Sequence, residues 1–136
     1  MPVAHRLRSL AAAALLSTIS SFAAHAQEGN AEAGAKVFAP CRACHQIGET
    51  AKNLVGPQLN GVIGRKAATA VNYNYSDAFK ALDRVWTEEV FRKYIVDPRG
   101  DVPGTKMTFP GIKNEQQIPD LIAFLKQYGA DGKKSQ

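Results

Sequence analysis

The sequence predicts an all-α domain. Three segments repeat their apolar residues at helical spacing, and no stretch alternates over enough positions to make a strand. Between the segments run two long connections, from Gln46 to about Tyr75 and from Arg99 to Lys113, which hold most of the glycine and proline. Loops of that length are uncommon in a small domain unless they wrap something. Three short helices alone leave the core incomplete; a large flat apolar cofactor would complete it.

The first 26 residues read as a leader rather than as fold material. Arg6 and Arg8 make a basic start, Leu10 to Ala24 is apolar or small, and Ala24-His25-Ala26 has the pattern of a signal-peptidase site. The apolar run falls short of the roughly 20 residues that span a bilayer. Residues 1–26 are therefore expected to be a signal peptide cleaved near Ala26/Gln27, which places the protein in the periplasm; an uncleaved signal acting as an anchor is the alternative. Residues 27–136 form the single remaining domain. Losing Arg6 and Arg8 takes the basic count from 17 to 15 against 12 acidic residues, a charge of +3. That suits an acidic protein surface and is too weak and dispersed for nucleic acid. His5, His25 and Met1 leave with the leader, so soft or nitrogen ligation can draw only on His45, Met107, Cys41 and Cys44.

The elements follow in order. Asn30 can cap a first helix, with Glu32 in its first turn where the helix dipole favours a negative charge; it runs into Pro40. Thr87 can cap a second, followed by Glu88 and Glu89, with Val90, Phe91, Tyr94 and Ile95 at helical spacing. Asp97-Pro98 ends it, because a residue before proline is pushed out of helical geometry. The third carries Ile118, Leu121, Ile122, Leu125 and Tyr128 on one stripe, with Gly129 expected to stop it. Two starts compete: Asn114 with Gln117 resembles a capping box, whereas Pro119 prefers a first-turn position. Residues 129–136, rich in glycine and lysine, are expected to fray.

Cys41-Arg42-Ala43-Cys44-His45 is a C-x-x-C-H sequence, which reads as a c-type haem attachment site. Two thiols three positions apart on a helical turn can add to the two vinyl groups of a porphyrin, and the next residue, His45, then lies beneath the iron as an axial ligand. The alternative is a disulfide or dithiol. A thioredoxin-like site needs a βαβ setting that is absent and leaves His45 without a role. Zinc would need further Cys or His ligands.

Met107 is the candidate sixth ligand. A lone methionine usually fills core. This one sits in the turn-rich run Pro103-Gly104-Thr105-Lys106-Met107-Thr108-Phe109 and is the only thioether left after the leader. A thioether ligand favours reduced iron and raises the potential.

With these residues in view, the chain resembles the class I c-type cytochromes, in the branch of mitochondrial cytochrome c and the periplasmic cytochromes of alphaproteobacteria. The resemblance runs from about Gly29 to Tyr128. It is carried by Gly34 to Phe38, Cys41 to His45, Gly56-Pro57-Gln58-Leu59, Gly61 to Arg65, Tyr73 to Asp77, Trp86, Tyr94 to Pro98 and Pro103 to Gly111. It implies the cytochrome c fold: three main helices and long loops around one covalently bound haem c. It also implies that the Pro57 carbonyl accepts the proton of the other His45 ring nitrogen. By the same resemblance, Arg65, Tyr75 and Trp86 hold the haem carboxylates, and the Tyr94 and Thr105 hydroxyls lie beside the methionine ligand. Gly34, Phe38, Leu121 and Phe124 form the crossing of the terminal helices. Phe79 departs from the pattern, standing where mitochondrial relatives place an asparagine in a buried polar network. Pro40 and Arg99-Gly100-Asp101 stand where those relatives carry docking lysines. Lys36, Arg42, Lys52, Lys106 and Lys113 then make either a weaker basic rim or scattered solvated charges.

The function this implies is electron transport by a monomeric one-electron carrier, with no residue in acid–base or nucleophilic work. Its partners would be redox proteins: a quinol-oxidising cytochrome bc complex, a terminal oxidase, a photosynthetic reaction centre or a periplasmic dehydrogenase. The rivals are a haem peroxidase or gas sensor with an open sixth position, for which Met107 would be packing, and a dedicated dehydrogenase subunit.

Overall fold

The computed structural model describes Met1 and residues 28–135. Apart from Met1, the expected signal peptide, residues 1–26, lies outside the described residues. Five helices appear: α1 (Ala31–Phe38), α2 (Asp77–Lys80), α3 (Glu88–Val96), α4 (Pro98–Asp101) and α5 (Gln117–Lys126), with a 3-10 turn over Ala39–Ala43. Among the described residues there is no strand, only isolated bridges between Lys66 and Val85 and between Tyr128 and Lys134. No described helix is long and apolar enough to cross a membrane.

The two caps expected from sequence form. Asn30 Oδ1 accepts the Ala33 amide at 2.8 Å, and Thr87 Oγ1 accepts the Val90 amide at 3.2 Å. The Asn30 amide also donates to Asp120 Oδ1 at 2.7 Å, tying the start of α1 to α5. These two helices cross at Gly34. A Cβ there would run into the Asp120 carbonyl and the Phe124 side chain, so glycine sets the distance of approach. Past the crossing, the Phe38 and Phe124 rings pack with centroids 5.1 Å apart. Phe38, Ile118, Leu121 and Leu125 are almost wholly buried.

Four expectations need correction. The chain does not become loop at Asp97-Pro98. Asp97 accepts the Gly100 amide at 3.1 Å, and Pro98, which needs no amide partner at the start of a helix, opens the short α4. Likewise Ser76 Oγ accepts the Phe79 amide and starts α2. Four-residue helices carry no periodicity to read, so only their caps betray them. For α5, Pro119 wins: it lies in the first turn, and the side chain of Gln116, at the N-cap, makes no capping bond. Asn114 instead builds the turn before the helix, accepting the Gln116 amide with its side chain and the Gln117 amide with its carbonyl.

Nor does Gly129 stop α5. The helix ends at Lys126, and Gly129 is not in the left-handed region. Through Ser135 the chain beyond it is hydrogen-bonded. The Gly129 amide donates to Lys133, the Ser135 amide to Gln127 at 2.7 Å, and Gly61 donates to the Tyr128 carbonyl. Gly132 is buried at φ 78° against Gly48 and Asn60, where no side chain fits. Glycine here permits a close approach, which composition alone reads as flexibility.

Candidate cofactor site

The long loops, α3 and α5 enclose an open cleft of about 320 Å³. Cys41, Cys44, His45 and Met107 all line it, with Pro57, Arg65, Tyr75, Trp86, Tyr94 and Thr105. Residues scattered over about half of the chain are brought to one surface.

The Cys41 carbonyl accepts the amides of both Cys44, at 3.0 Å, and His45, at 2.9 Å. This tight turn, prepared by Pro40 at the start of the 3-10 segment, presents both sulfurs and the ring to the cleft. The thiols are free and half-buried, and burial pushes Cys41 above the ordinary thiol range, with the neighbouring Cys44 adding to the rise. His45 Nδ1 lies 2.7 Å from the Pro57 carbonyl. A carbonyl only accepts, so Nδ1 carries the proton and Nε2 keeps a free lone pair, the form that binds metal. Burial holds the ring's pKa below the usual histidine range; the Pro57 bond opposes that, and the charge of Arg65 reinforces it. The ring lies flat on Gly56, where a Cβ would occupy its place.

Met107 is partly buried against the core. The Tyr94 hydroxyl donates to Met107 Sδ at 3.1 Å, and the Met107 amide donates to Thr105 Oγ1 at 3.2 Å. The Tyr94 hydroxyl thus sits at the sulfur and the Thr105 hydroxyl at the Met107 amide. Burial pushes Tyr94 up to about 12; Thr105 opposes the shift, Asp101 adds to it and Arg84 opposes it. The phenol stays protonated and able to donate.

Arg65 and Trp86 reach the cleft through a short pairing of chain segments: the Trp86 amide donates to Arg65, and the Gly64 amide to Trp86 at 2.7 Å. Arg65 spends two of its donors on the carbonyls of Asn60 and Gln58, each at 3.0 Å, which leaves three. Burial lowers its pKa, which nearby Tyr75 raises. The Tyr75 hydroxyl accepts the Ala70 amide at 3.1 Å and retains its own proton to give. Phe79 replaces a polar network with an aromatic one: its ring lies 5.9 Å from Tyr75, 6.1 Å from Trp86 and 5.9 Å from Tyr94.

Sequence reasoning missed Asn60, a buried amide that both donates to and accepts from Gly48, at 3.0 and 2.8 Å, and thereby closes the loop above the cleft. No local pattern marks it. It also missed the lining by Leu59, Val62, Phe91 and Ile95; the apolar stripe of α3 was the available signal.

Among the described residues no three His, Cys, Asp or Glu side chains cluster as a metal site. The lining residues are of the kinds that suit a flat apolar group carrying its own metal: two thiols, an imidazole nitrogen, a thioether and a largely apolar remainder.

Comparison with known proteins gives the family. The profile of the family described as cytochrome c matches residues 31–129. Cytochrome c-554 of Methylosinus trichosporium is 56% identical over 106 residues, covering 78% of this chain and 80% of the relative. Cytochrome c2 of Blastochloris viridis is 50% identical over 119 residues, covering 88% and 94%. The solved structure of cytochrome cH from Methylobacterium extorquens superposes with a TM-score of 0.69 at 47% identity, over 73% of this chain and 99% of that one. The chain belongs to the cytochrome c family: an electron carrier rather than an enzyme, with one covalently attached haem c.

Proposed function

We propose that the protein is a soluble periplasmic one-electron carrier whose haem c is bonded through Cys41 and Cys44 and ligated by His45 and Met107. The observation that carries this reading is the paired preparation of the two ligands: Pro57 leaves the His45 Nε2 lone pair free, and Tyr94 holds the Met107 sulfur. When bound, the haem supplies a one-electron ferrous–ferric couple. The chain's own residues do the rest. His45 and Met107 are seated by neighbours in both loops, so little has to move between oxidation states. Phe38, Phe91, Leu121 and Leu125 keep water from the cleft interior. Arg65, Tyr75 and Trp86 have a cation, a hydroxyl and an indole N–H to offer the haem carboxylates.

The partners would be a cytochrome bc complex, a terminal oxidase, a reaction centre or a periplasmic dehydrogenase. Docking is transient and small in area. That relatives are named cytochrome c2 and cytochrome c-554 supports a mobile carrier. Export rests on residues 1–26. The purified protein should have its N-terminus at Gln27, and a mass spectrum showing residues 1–26 intact on a membrane-bound product overturns it.

The ligand set is tested on ferric protein at neutral pH. Low-spin iron with a weak near-infrared sulfur-to-iron band is expected. Met107→Ala should abolish the band and admit cyanide, and Met107→His should restore low-spin iron at a lower potential. High-spin iron that binds carbon monoxide readily once reduced, in the unmutated protein, would overturn the assignment.

A further inference from the structure

The function just described leaves Arg99-Gly100-Asp101, a departure from the mitochondrial pattern, without a role. Asp101 closes the α4 turn: its amide donates to Asp97 at 3.0 Å, and the Val102 amide to Pro98 at 3.0 Å. The Asp101 side chain is only 7% exposed, and Arg84 Nη1 meets its Oδ2 at 2.5 Å. Lys93 Nζ approaches the other oxygen at 3.6 Å from α3, but that side chain is 81% exposed. Arg84 is held in turn: its guanidinium lies over the Trp86 ring, 5.8 Å from the centroid, and its carbonyl accepts the Ala67 amide at 2.9 Å.

Asp101 lies six positions before Met107. Short links fill the interval: Thr105 donates to Val102 at 3.0 Å, and Met107 donates to Thr105. The ion pair therefore joins the loop that carries Met107 to the segment that carries Trp86, across the cleft wall. A buried ion pair adds little net stability over an apolar pair, but leaving one partner buried alone is costly. That asymmetry suits a latch, because the loop cannot drift partway open without separating or hydrating both charges.

We propose that the Arg84–Asp101 ion pair is a positioning device for Met107, keeping the 102–107 loop shut over the cleft; this rests on Met107 being the sixth ligand. Cyanide can take the sixth position only after Met107 has left it, so its binding rate to the ferric mature haem protein reads loop opening. Asp101→Asn keeps the shape of the turn, and Arg84→Met keeps an apolar stem over Trp86. Both should speed cyanide binding by at least about tenfold, the scale of a lost buried partner, while the sulfur-to-iron band persists without cyanide. Arg84→Lys, which keeps the charge but not the planar fork, should fall between. Ile122→Val on α5, outside the cleft lining, weakens the fold without touching the latch and should leave the rate unchanged. Rates within about twofold of the unmutated protein, or rates that follow unfolding stability alone across all variants including Ile122→Val, would overturn the latch. If Arg84→Met yields no haem protein, Asp101→Asn and Arg84→Lys decide. Absence of the sulfur-to-iron band in the unmutated protein would overturn the ligand reading and the latch with it; a band with unmoved cyanide rates overturns the latch alone.

Discussion

A single proton decides what His45 can do. With Nδ1–H donated to Pro57 at 2.7 Å, the ring is a neutral imidazole with one lone pair and one direction to offer it. Tyr94 does the converse at sulfur, giving a hydrogen bond to Met107 Sδ and so drawing electron density from the thioether. Removing that bond makes sulfur the better donor to ferric iron. Tyr94→Phe should therefore lower the reduction potential by tens of millivolts, the equivalent of a hydrogen bond of about 1 kcal/mol, while the sulfur-to-iron band survives. Voltammetry beside near-infrared absorption checks both, and a raised potential contradicts the argument. At this scale the sequence was most legible where spacing and chemistry coincide, as in Cys41 to His45. Asn60 was illegible because its partner, Gly48, is twelve positions away and neither residue belongs to a local pattern.

Among the helices long enough to show a period, the ends made by a local side chain could be read and those made by the fold could not. Asn30 and Thr87 satisfy amides three residues on, a purely local act. α5 stops at Lys126 because the following turn pairs with the chain end, Gln127 with Ser135 and Gly129 with Lys133, contacts that sequence spacing does not announce. Gly34 was read as a close-approach residue by resemblance, and it is one. Gly34→Ala would put a methyl into the Asp120 carbonyl, force α1 from α5 and loosen the stacking of Phe38 on Phe124. A loss of about 3 kcal/mol is expected, at the upper end for overpacking, as a lower denaturant midpoint. An unchanged midpoint would mean that the helices separate freely.

Over the whole molecule, the carboxylates are unevenly neutralised. Asp77, Asp83, Glu88 and Asp101 each pair with a cation. Lys36, Arg42, Lys52, Lys106 and Lys113 form no ion pair among the described residues. Lys106 and Lys113 turn instead to backbone carbonyls, of Asn74 and Val96, at 3.0 Å each, which neutralise nothing. Lys106 also lines the cleft. On the basic-rim alternative, these charges expect a partner with an acidic face. Stopped-flow rates with a physiological partner should fall as salt rises, since screening shortens the reach of charge to about 10 Å near ~0.1 M. A flat or rising dependence would point to apolar or oppositely charged docking.

Taken alone, the sequence determined the cofactor chemistry and the starts of the longer helices with local caps, because both depend on residues within a turn of each other. It reached Pro57, Tyr94 and Thr105 only through resemblance, since nothing in their spacing ties them to His45 or Met107. The tertiary structure decided what depends on distant segments meeting. It turned a glycine- and lysine-rich tail into a clasp over Gly48 and Asn60, and it made Asp101, one charge in an exposed-looking loop, the buried partner of Arg84. Burial is set by every neighbour at once, and no window of sequence contains them all.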